Sequence, residues 1–529
     1  EGLNISKSPG PDGIGPRILK EVKDVLALPL QILFSNSIRT GIVPEEWKKA
    51  NITAIYKKGD KIEPGNYRPV SLTCIICKIL EKIVRESMVK HMKEYDLFSE
   101  KQFGFIAGRS TLLQLLAVLD EWTDILDSGS NIDVAYCDYM KAFDKVSHRH
   151  LLHKLKIYKF GDIYIKWIQS FLSNRRQKVL VNGSESEWQP VTSGIPQGSV
   201  LGPMLFVLFI NDLPEHLSNN SQLFLYADDT KIFRKIESEY DRQLLQEDIF
   251  SMCEWSENWL LKFHPDKCKT MTLGQTDVEH TYSLKPTLPP MQVSEAEKDV
   301  GVIIDNKLRF DQHISEKVNK ANAIVGALRR SFEYLDKGIF IQLYKALIRP
   351  HMEYAQSIWS PYRKRDIDII ENVQRRATKM VPGLSGMSYE ERLRALKLPT
   401  LSYRRVRGDM IEVYKLLNNH YYYDSTQLLK LREGNTTRGN TMKLCKQRPR
   451  IDIRKYSFSH RVVDAWNSLP ESVISAKSLT SFEARLDRFW YNQDIKYTYD
   501  SKLETGISRT KEELVIEATD SLLPEEDLR

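Results

Sequence analysis

Two stretches decide the fold of this chain: residues 134–144, VAYCDYMKAFD, and residues 224–233, FLYADDTKIF. The first belongs to an alternation of residues that is typical of a strand, and Asp138 closes it. The second has the pattern of a hairpin whose tip carries Asp228 and Asp229. The alternating apolar positions of the predicted strand are Ile132, Val134 and Tyr136. If the two segments are neighbours in one sheet, three carboxylates converge at one strand end.

Converging carboxylates are the arrangement that holds two Mg²⁺ ions about 3.5 to 4 Å apart for in-line phosphoryl transfer. In the absence of cations, three carboxylates gathered at one strand end would repel one another. The alternative interpretation is that two adjacent aspartates at a hairpin tip are ordinary turn residues. The further elements that follow in order decide between the two interpretations.

Between residues 70 and 270, helical and strand periods alternate, which predicts a mixed α/β body. A helix in front of Trp122 has one apolar face, and residues 151–158 return to helical spacing. Residues 177–188 predict a hairpin that turns at Asn182 and Gly183. The apolar face of the first helix consists of Leu112, Leu115, Leu116 and Leu119.

The composition is that of a globular, mildly basic protein. The 529 residues include 77 Lys and Arg against 70 Asp and Glu, a formal charge of +7, and 41% are hydrophobic. That length allows about three or four domains. Six cysteines are too few for a disulfide framework, so we expect free thiols in a reducing compartment. The longest apolar run, residues 200–210, is shorter than the roughly 20 residues of a spanning helix, which argues against a membrane protein.

Charge is unevenly distributed along the chain. Residues 430–465 hold 10 Lys and Arg against 3 Asp and Glu, whereas residues 500–529 hold 9 acidic residues against 4 basic ones. A basic body suits a polyanionic partner such as nucleic acid, and a solvated basic face is the alternative interpretation. The acidic end lacks a strong apolar period, which predicts a disordered tail over residues 496–529.

Helical patterns continue in the second half of the chain. Three prolines, Pro286, Pro289 and Pro290, make residues 276–298 a predicted connector. A long helix follows over residues 311–335, with Lys317, Lys320, Arg329 and Arg330 away from its apolar face. That face consists of Ile314, Val318, Ala321, Ile324, Val325, Leu328, Phe332 and Leu335.

Several motifs resemble those of a known family. The palm motifs of reverse transcriptases are matched, in order, by CDYMKAFD (137–144), SGIPQGSVLGPMLF (193–206), YADD (226–229) and PDKCKTM (265–271). The finger motifs of non-LTR retrotransposons, most of all jockey-like elements, are matched by SPGPDGI (8–14), NYRPVSL (66–72) and KQFGFIAGRST (101–111). The resemblance continues through KDVGVIIDNKLRF (298–310) and covers about residues 5–490.

The resemblance implies an α+β right-hand polymerase with a mainly helical, basic C-terminal region. The implied divisions are fingers with the first part of the palm (1–130), palm with the catalytic carboxylates (131–275), connector (276–298), thumb and helical region (299–420), basic C-terminal region (421–495) and acidic tail (496–529).

By this resemblance, Asp138, Asp228 and Asp229 are the metal-binding carboxylates of a polymerase site. Asp138 and Asp228 would bridge two Mg²⁺ ions, for which Mn²⁺ can substitute, and Asp229 would support the pair more loosely. Lys267 matches the lysine proposed to protonate the leaving pyrophosphate, with Lys269 as its nearest competitor.

Other residues are implied to bind the incoming nucleotide. Phe143 would stack under the deoxyribose and crowd a 2′-hydroxyl, and a core aromatic is the alternative. Gln197, which precedes Gly198 in a rigid turn, would lie near the nascent base pair, and a plain helix start is the alternative. The basic finger residues that would grip the triphosphate are Arg68 and Lys57 or Lys58.

Nucleic-acid contacts are expected in three places. Arg109 would meet the template or the backbone of the fingers. Lys317 and Lys320 of the long helix would follow the minor groove of the duplex. From charge and position, we expect binding of element RNA or target DNA by residues Arg438, Lys443, Lys446, Arg448, Arg450, Arg454 and Lys455.

Three further sets of residues receive structural interpretations. Cys74 and Cys77 form a lone CxxC and are interpreted as core residues. His264 and Cys268 lack two more ligands nearby, which argues against zinc. Asp144 falls in the helix after Asp138 and is given a structural role.

The expected function is that of an RNA-directed DNA polymerase that extends a primer 3′-hydroxyl on an RNA template with dNTPs. In this family the primer is a nicked end of target DNA. Because the chain starts at Glu1 without a methionine and shows no endonuclease motif, we expect an endonuclease domain in a missing N-terminal part. The resemblance implies an intracellular location, in the nucleus or the cytoplasm. The alternatives are a noncatalytic, co-opted or decayed nucleic-acid-binding protein and, disfavoured by Phe143, an RNA-dependent RNA polymerase or maturase.

Overall fold

The computed structural model describes residues 2–217, 219, 221–275, 280–433 and 440–505. The N-terminal part contains α1 (Pro16–Glu21), α2 (Lys23–Thr40), β1 (Lys49–Tyr56), β2 (Tyr67–Thr73), α3 (Ile75–Glu94) and α4 (Thr111–Asp127). The central part contains β3 (Asn131–Cys137), α5 (Ala142–Lys145), α6 (His148–Ile157), α7 (Asp162–Leu172), β4 (Arg175–Val181), β5 (Ser184–Glu185), β6 (Gln189–Val191), α8 (Gly202–Ile210), β7 (Gln222–Tyr226), β8 (Asp229–Ile236), α9 (Glu239–Asn258) and β9 (Lys269–Leu273).

The remaining elements are mostly helical. They are β10 (Gln292–Val293), β11 (Ala296–Asp299), β12 (Val302–Asp305), α10 (Asp311–Ser331), α11 (Lys337–Leu343), α12 (Arg349–Glu353), α13 (Gln356–Trp359), α14 (Lys364–Thr378), α15 (Tyr389–Leu396), α16 (Leu401–Leu417), α17 (Asp452–Lys455), α18 (Phe458–Asn467), α19 (Glu471–Ile474) and α20 (Leu479–Phe489). The predicted α+β class is confirmed.

A central sheet with the strand order β10-β9-β3-β8-β7 separates two apolar cores. The strand β3 lies in its middle, antiparallel to both β8 and β9. Ile132 and Val134 contribute to the core that includes α4, α10 and the C-terminal helices. Ala135 and Cys137 point into the opposite core, which includes α6, α8 and α9. The predicted strand is therefore confirmed, and both of its faces are buried.

Asp133, a polar residue on the buried strand β3, has several partners for its carboxylate. Asp133 accepts hydrogen bonds from the hydroxyls of Thr272 and Tyr282, each at 2.6 Å. The Nε of Arg242 lies 3.3 Å from its carboxylate. Tyr282 belongs to the predicted connector, whose residues 276–279 lie outside the described part of the chain. Residues 280–298 do not form a free linker between two parts of the protein. They pack on the central sheet, where β10 pairs with β9 at the edge.

A second sheet carries the N-terminal motif NYRPVSL. Its order is β2-β1-β4-β5, with β6 also paired to β4, and β1 is parallel to β4. The hairpin predicted over residues 177–188 is confirmed, because β4 turns into β5 through Asn182 and Gly183. Both turn residues have positive φ, 50° and 85°, as a tight hairpin turn requires.

The long helix α10 follows a hairpin, β11 and β12, that two ion pairs attach to the central sheet. Lys231 of β8 pairs with Asp299, and Lys269 of β9 pairs with Glu297 at 2.9 Å. The predicted helix over residues 311–335 ends earlier, at Ser331. The reason is a new helix start, since Asp336 accepts hydrogen bonds from the first backbone N–H groups of α11.

The C-terminal region packs directly on helix α4. Arg454 is buried and donates to the backbone oxygen and the carboxylate of Asp120 and to the Thr123 hydroxyl, at 2.7 to 2.9 Å. The backbone N–H groups of Arg450 and Ile451 donate to Asp127.

The prediction of a disordered tail from residue 496 is wrong for residues 496–505, because Tyr497 and Leu503 pack against the core and the Glu504 N–H donates to Gln493 Oε1 at 3.0 Å. Residues 506–529 lie outside the described residues.

The apolar run at residues 200–210 is explained by burial within the protein. It contains α8, whose residues lie almost entirely in the core. Among the described residues, the structure contains no helix with the length and apolarity needed to span a membrane.

The buried His313 gives the fold a specific pH dependence. Its Nδ1 accepts a hydrogen bond from the Ile303 N–H at 3.1 Å, which ties α10 to β12. Burial, with a smaller contribution from Lys317, lowers the pKa of His313 to about 4. Because the unfolded state takes up the proton first, stability is lost as pH falls from the ordinary pKa of about 6.5 towards 4, by about 1.4 kcal/mol per pH unit.

We predict that His313→Asn, whose amide oxygen can replace the Nδ1 acceptor, lowers the melting temperature at pH 7 because it loses ring packing. As pH falls from 6.5 to 4.5, the difference from the wild type should narrow, since asparagine does not titrate. Thermal melts of both proteins across that range measure it. A constant difference would contradict the assignment.

Candidate active site

Asp138 and the hairpin tip meet at one end of the central sheet. In the pairing of β3 with β8, Cys137 lies opposite Thr230, so Asp138 continues the strand next to Asp229. Asp228 occupies the turn between β7 and β8, where Ala227 has a φ of 56°. The predicted convergence of the two carboxylate-bearing segments is confirmed by this strand pairing.

The motif KQFGFIAGRST supports the hairpin tip from behind. The buried Gln102 accepts hydrogen bonds with its Oε1 from the N–H groups of Gly104, at 2.7 Å, and Ala227, at 2.9 Å. A Cβ on Gly104 would lie 2.3 Å from the Ala227 nitrogen, so only glycine fits there. Sequence reasoning missed this role of Gln102, although the residue stands inside a finger motif.

Two of the three aspartates at this sheet end, Asp228 and Asp229, have raised pKa values. Burial, followed by the negative charge of Asp138, raises the pKa of Asp228, while Arg68 and Lys267 oppose the shift. The pKa of Asp229 is raised to about 6, first because the surrounding protein removes water from its carboxylate and then because of the negative charges of Asp228 and Asp299. Burial is the largest cause of both shifts, and negative charge from neighbouring carboxylates adds to it, as expected of a site that is short of positive charge.

Lys267 lies beside the first carboxylate. Its Nζ is 3.2 Å from Asp138 Oδ2, and the His264 N–H donates to the Asp138 backbone oxygen at 2.8 Å. Lys269, the competing lysine, instead pairs with Glu297. The geometry therefore favours Lys267 over Lys269 as the lysine beside the Asp138 carboxylate.

An open cavity of about 1170 Å³ extends from Asp228 towards the second sheet. Its lining includes most of the residues expected to bind nucleotide, namely Lys57, Arg68, Phe143, Gln197 and Gly198. Lys58 is exposed outside this lining, so of the two lysines considered the structure favours Lys57. Lys61 and Lys141 also line the cavity and were missed. Lys141 has a φ of 52°, a strained value that the sequence does not signal.

Phe143 forms part of the cavity wall while its ring rests on the core. It is half-buried and stacks on Phe206 with 4.6 Å between ring centroids and 20° between ring planes. Phe105, also in the lining, meets the ring edge-on at 6.2 Å. The two interpretations of Phe143 are therefore compatible, because one face is packed and the side chain still borders the cavity.

The turn that contains Gln197 is fixed by hydrogen bonds on several sides. Its side-chain amide donates to Asp144 Oδ1 at 2.9 Å, and its backbone oxygen accepts from the Ser71 N–H at 2.6 Å. Gly198 has a φ of 118°, and a Cβ there would lie 2.6 Å from the Ser71 oxygen. The structural role predicted for Asp144 is thus to hold Gln197.

The structure decides between the two alternatives for Arg109 and corrects the expected contact of Arg454. The guanidinium of Arg109 donates to the backbone oxygens of Ser99, Gln102 and Tyr422, which agrees with the predicted contact to the backbone of the fingers and not with a contact to the template. Arg454 is buried against Asp120 and is withdrawn from RNA.

Five of the remaining basic residues are exposed to solvent. Lys320, Lys446, Arg448, Arg450 and Lys455 are exposed, and Lys317 is half-buried beside Glu316. Lys446 also pairs with Asp464 at 2.7 Å. Arg438 lies outside the described residues.

The cysteines of the two short motifs lie in the core. Cys74 and Cys77 are free and buried, as expected for core residues. Cys268 is buried and its Sγ lies 3.8 Å from the Asp138 backbone oxygen.

The donor set at the sheet end fits a hard divalent cation. In the part of the chain that the structure describes, no three His, Cys, Asp or Glu side chains already surround a common point. Mg²⁺ does not need such a cage, because it is usually held by one or two carboxylates together with water and substrate phosphates. Asp138 and Asp228 supply carboxylates of that kind, and their mutual repulsion is what a cation would relieve.

Comparison with known proteins places these features in a family. A family model described as "Reverse transcriptase (RNA-dependent DNA polymerase)" matches residues 55–321, just over half of the chain. A solved structure of apo telomerase from Candida tropicalis, truncated from the C-terminal domain, aligns with a TM-score of 0.34 at 12% identity over 51% of this chain and 55% of that one.

Relatives from Drosophila melanogaster match most of the chain. The "Probable RNA-directed DNA polymerase from transposon X-element" is 29% identical over 75% of this chain and 44% of its own length. The "RNA-directed DNA polymerase from mobile element jockey" is 28% identical over 75% of this chain and 45% of its own. The chain thus spans less than half the length of these relatives, and the predicted resemblance to jockey-like elements is confirmed. Since the family model covers both carboxylate-bearing segments and most of the cavity between them, this chain belongs to the reverse transcriptase family.

Proposed function

We propose that this chain acts as an RNA-directed DNA polymerase that extends a primer 3′-hydroxyl on an RNA template with dNTPs. The observation that carries the proposal is the position of Asp228, which lies next to Asp138 and at the same time lines the cavity that holds Arg68 and Phe143. Carboxylates for metal binding, cations for phosphate binding and an aromatic wall thus border one space. The X-element and jockey relatives support the same activity.

The proposed nucleotide lies in the cavity with its triphosphate towards the basic wall. Arg68 can hold phosphate oxygens with two N–H groups, and Lys57, Lys61 and Lys141 add point charges. Phe143 would lie under the deoxyribose and leave too little room for a 2′-hydroxyl. Gln197, fixed by Asp144, would face the nascent base pair.

Asp138 and Asp228 would hold two Mg²⁺ ions, or Mn²⁺ in their place, and Asp229 would support them. When bound, such ions neutralise charge on the triphosphate and make the primer hydroxyl more acidic. Lys267, whose Nζ is 3.2 Å from Asp138 Oδ2, would give a proton to the departing pyrophosphate. We further propose that the primer is an end of target DNA and that an endonuclease domain elsewhere in the full protein makes the nick.

Removal of the carboxylates should abolish most of the polymerase activity. Asp228→Ala with Asp229→Ala should reduce primer extension by at least about 10³-fold, because the site loses the groups that hold charge at the reacting atoms. The assay uses an RNA template, a DNA primer, dNTPs and Mg²⁺ or Mn²⁺. Asp266→Ala, at a side chain that is 91% exposed, is the matched control and should retain extension. Absence of extension by the wild type, with RNA binding retained, would instead favour a noncatalytic nucleic-acid-binding protein.

Sugar selection should depend on the ring of Phe143. Phe143→Ala should raise ribonucleotide incorporation relative to deoxyribonucleotide incorporation by about 10- to 100-fold, because the space beneath the sugar widens. Phe143→Tyr retains the ring and serves as the control. Competitive incorporation of matched dNTP and NTP measures the ratio, and an unchanged ratio in Phe143→Ala would assign the residue to the core alone.

RNA binding should depend on the basic C-terminal region. Replacing Lys446, Arg448, Arg450 and Lys455 by Gln should flatten the dependence of log Kd for RNA on log salt, by about 0.7 for each phosphate that the protein no longer neutralises. The same charge is removed in the control by replacing Arg17, Lys20, Lys23 and Arg39 of α1 and α2, which should leave the slope unchanged. Equal slopes in all three proteins would remove this surface from RNA binding.

A further inference from the structure

The segment around Gln197 is packed at its two ends, where Ile195 and Leu201 are core residues, and borders open space in its middle. We call residues 194–201 the Gln197 turn. Pro196 and Gln197 line the main cavity on one side and a second cavity of about 200 Å³ on the other. Open space on two sides leaves Pro196 and Gln197 few van der Waals contacts, so hydrogen bonds within and around the turn contribute strongly to their position.

Two of these hydrogen bonds come from elements that themselves carry site residues. The Ile195 N–H donates to the Phe143 oxygen at 2.7 Å, and the Ser71 N–H donates to the Gln197 oxygen at 2.6 Å. They link the front of the Gln197 turn to α5 and β2. Neither of them holds the end of the turn, where the chain enters α8.

That end is held by a carboxylate that the polymerase mechanism does not use. Glu81 lies on α3 and is completely buried. Its Oε2 accepts hydrogen bonds from the N–H groups of Val200, at 2.7 Å, and Leu201, at 3.0 Å. These N–H groups precede the first residues of α8 and have no partners within the helix, so an anion there is doubly favourable.

The negative charge of Glu81 has a buried counterpart. The guanidinium of Arg175, at the start of β4, is 3% exposed and interacts electrostatically with Glu81. One of its nitrogens donates to the Phe171 oxygen at 3.0 Å. A buried charge costs more free energy than an apolar residue of the same size, so its presence at this point is better explained by the orientation it imposes than by stability.

We infer that Glu81 is a positioning residue for nucleotide binding, which acts by fixing the end of the Gln197 turn so that Gln197 and Gly198 keep their places in the cavity. The inference rests on the proposed polymerase function. Glu81 touches no substrate in this arrangement, and its effect reaches the nucleotide through the backbone of Val200 and Leu201.

The chain supplies a matched control. Glu371 of α14 is also fully buried, and its carboxylate oxygens accept from the Leu401 N–H at the start of α16, at 3.1 and 3.2 Å. It therefore performs the same kind of helix-end bonding in the C-terminal helical region. Glu371 lines neither of the two cavities next to Gln197.

The test compares Glu81→Gln and Glu81→Leu with Glu371→Gln and Glu371→Leu. Glu81→Leu should raise the KM for dNTP by about tenfold, as expected when charged hydrogen bonds are removed, with an unchanged Kd for the primer and template duplex. Glu81→Gln, which keeps an oxygen acceptor, should recover part of the difference. The Glu371 variants should lower the melting temperature without changing the KM for dNTP.

Two measurements do not depend on catalysis. Amide hydrogen exchange at Val200 and Leu201 should accelerate in the Glu81 variants and not in the Glu371 variants, and calorimetry should show weaker dNTP binding. If Glu81→Leu fails to fold, Glu81→Gln carries the comparison. An unchanged KM and Kd for dNTP in the Glu81 variants, or equal changes in the Glu371 variants, would overturn the inference.

The experiments distinguish a failure of the polymerase proposal from a failure of the inference on Glu81. A wild-type protein that binds dNTP but extends no primer would refute the polymerase proposal, and calorimetry would still decide the role of Glu81. A wild-type protein that binds no dNTP would overturn both.

Discussion

The rest of this structure depends on one constraint. The backbone hydrogen bonds between β3 and β8 hold two negatively charged residues, Asp138 and Asp229, side by side. Asp138 and Asp229 lie next to each other because β3 and β8 are paired along their whole length. Repulsion between carboxylates would drive separate loops apart, but here it works against a ladder of hydrogen bonds. That ladder is in turn buried between two cores, so the strands cannot slide or separate locally.

Around the cavity, hydrogen bonds from polar side chains likewise secure short segments that carry or adjoin the candidate site residues. Gln102 secures the hairpin tip, Asp144 secures Gln197, and Glu81 secures the start of α8. Glycines complete these joints, since Gly104 and Gly198 stand where a Cβ would meet backbone atoms. The motifs thus contain two kinds of residue, those that face the cavity and those that hold the first kind in place.

Local sequence patterns predict the elements of this fold well because their causes are local. The hairpin at Asn182 and Gly183 follows from turn residues that accept positive φ. The helix α4 and most of α10 follow from apolar spacing, and the end of α10 differs because the Asp336 side chain starts a new helix.

Site residues are predictable only where a motif names them. The aspartates and the cavity residues Arg68, Phe143 and Gln197 are identified through the resemblance. By contrast, Arg454 looks like a surface cation in the sequence, and only the packed structure reveals that its guanidinium is bound by Asp120 and Thr123. The identity of a basic residue in the sequence does not show whether its partner is a phosphate or a distant part of its own chain.

The docking of Arg454 on α4 has a consequence for how the protein is made. One core of the central sheet contains residues from Phe103 to Ile495, so the sheet face that supports the carboxylates is completed only when almost the whole chain exists. A ribosome that stops early releases α4 with its acidic and apolar surfaces uncovered. Synthesis at least as far as Ile495 is therefore a structural condition for completing this core, and shorter products would expose apolar surface of the kind that leads to aggregation.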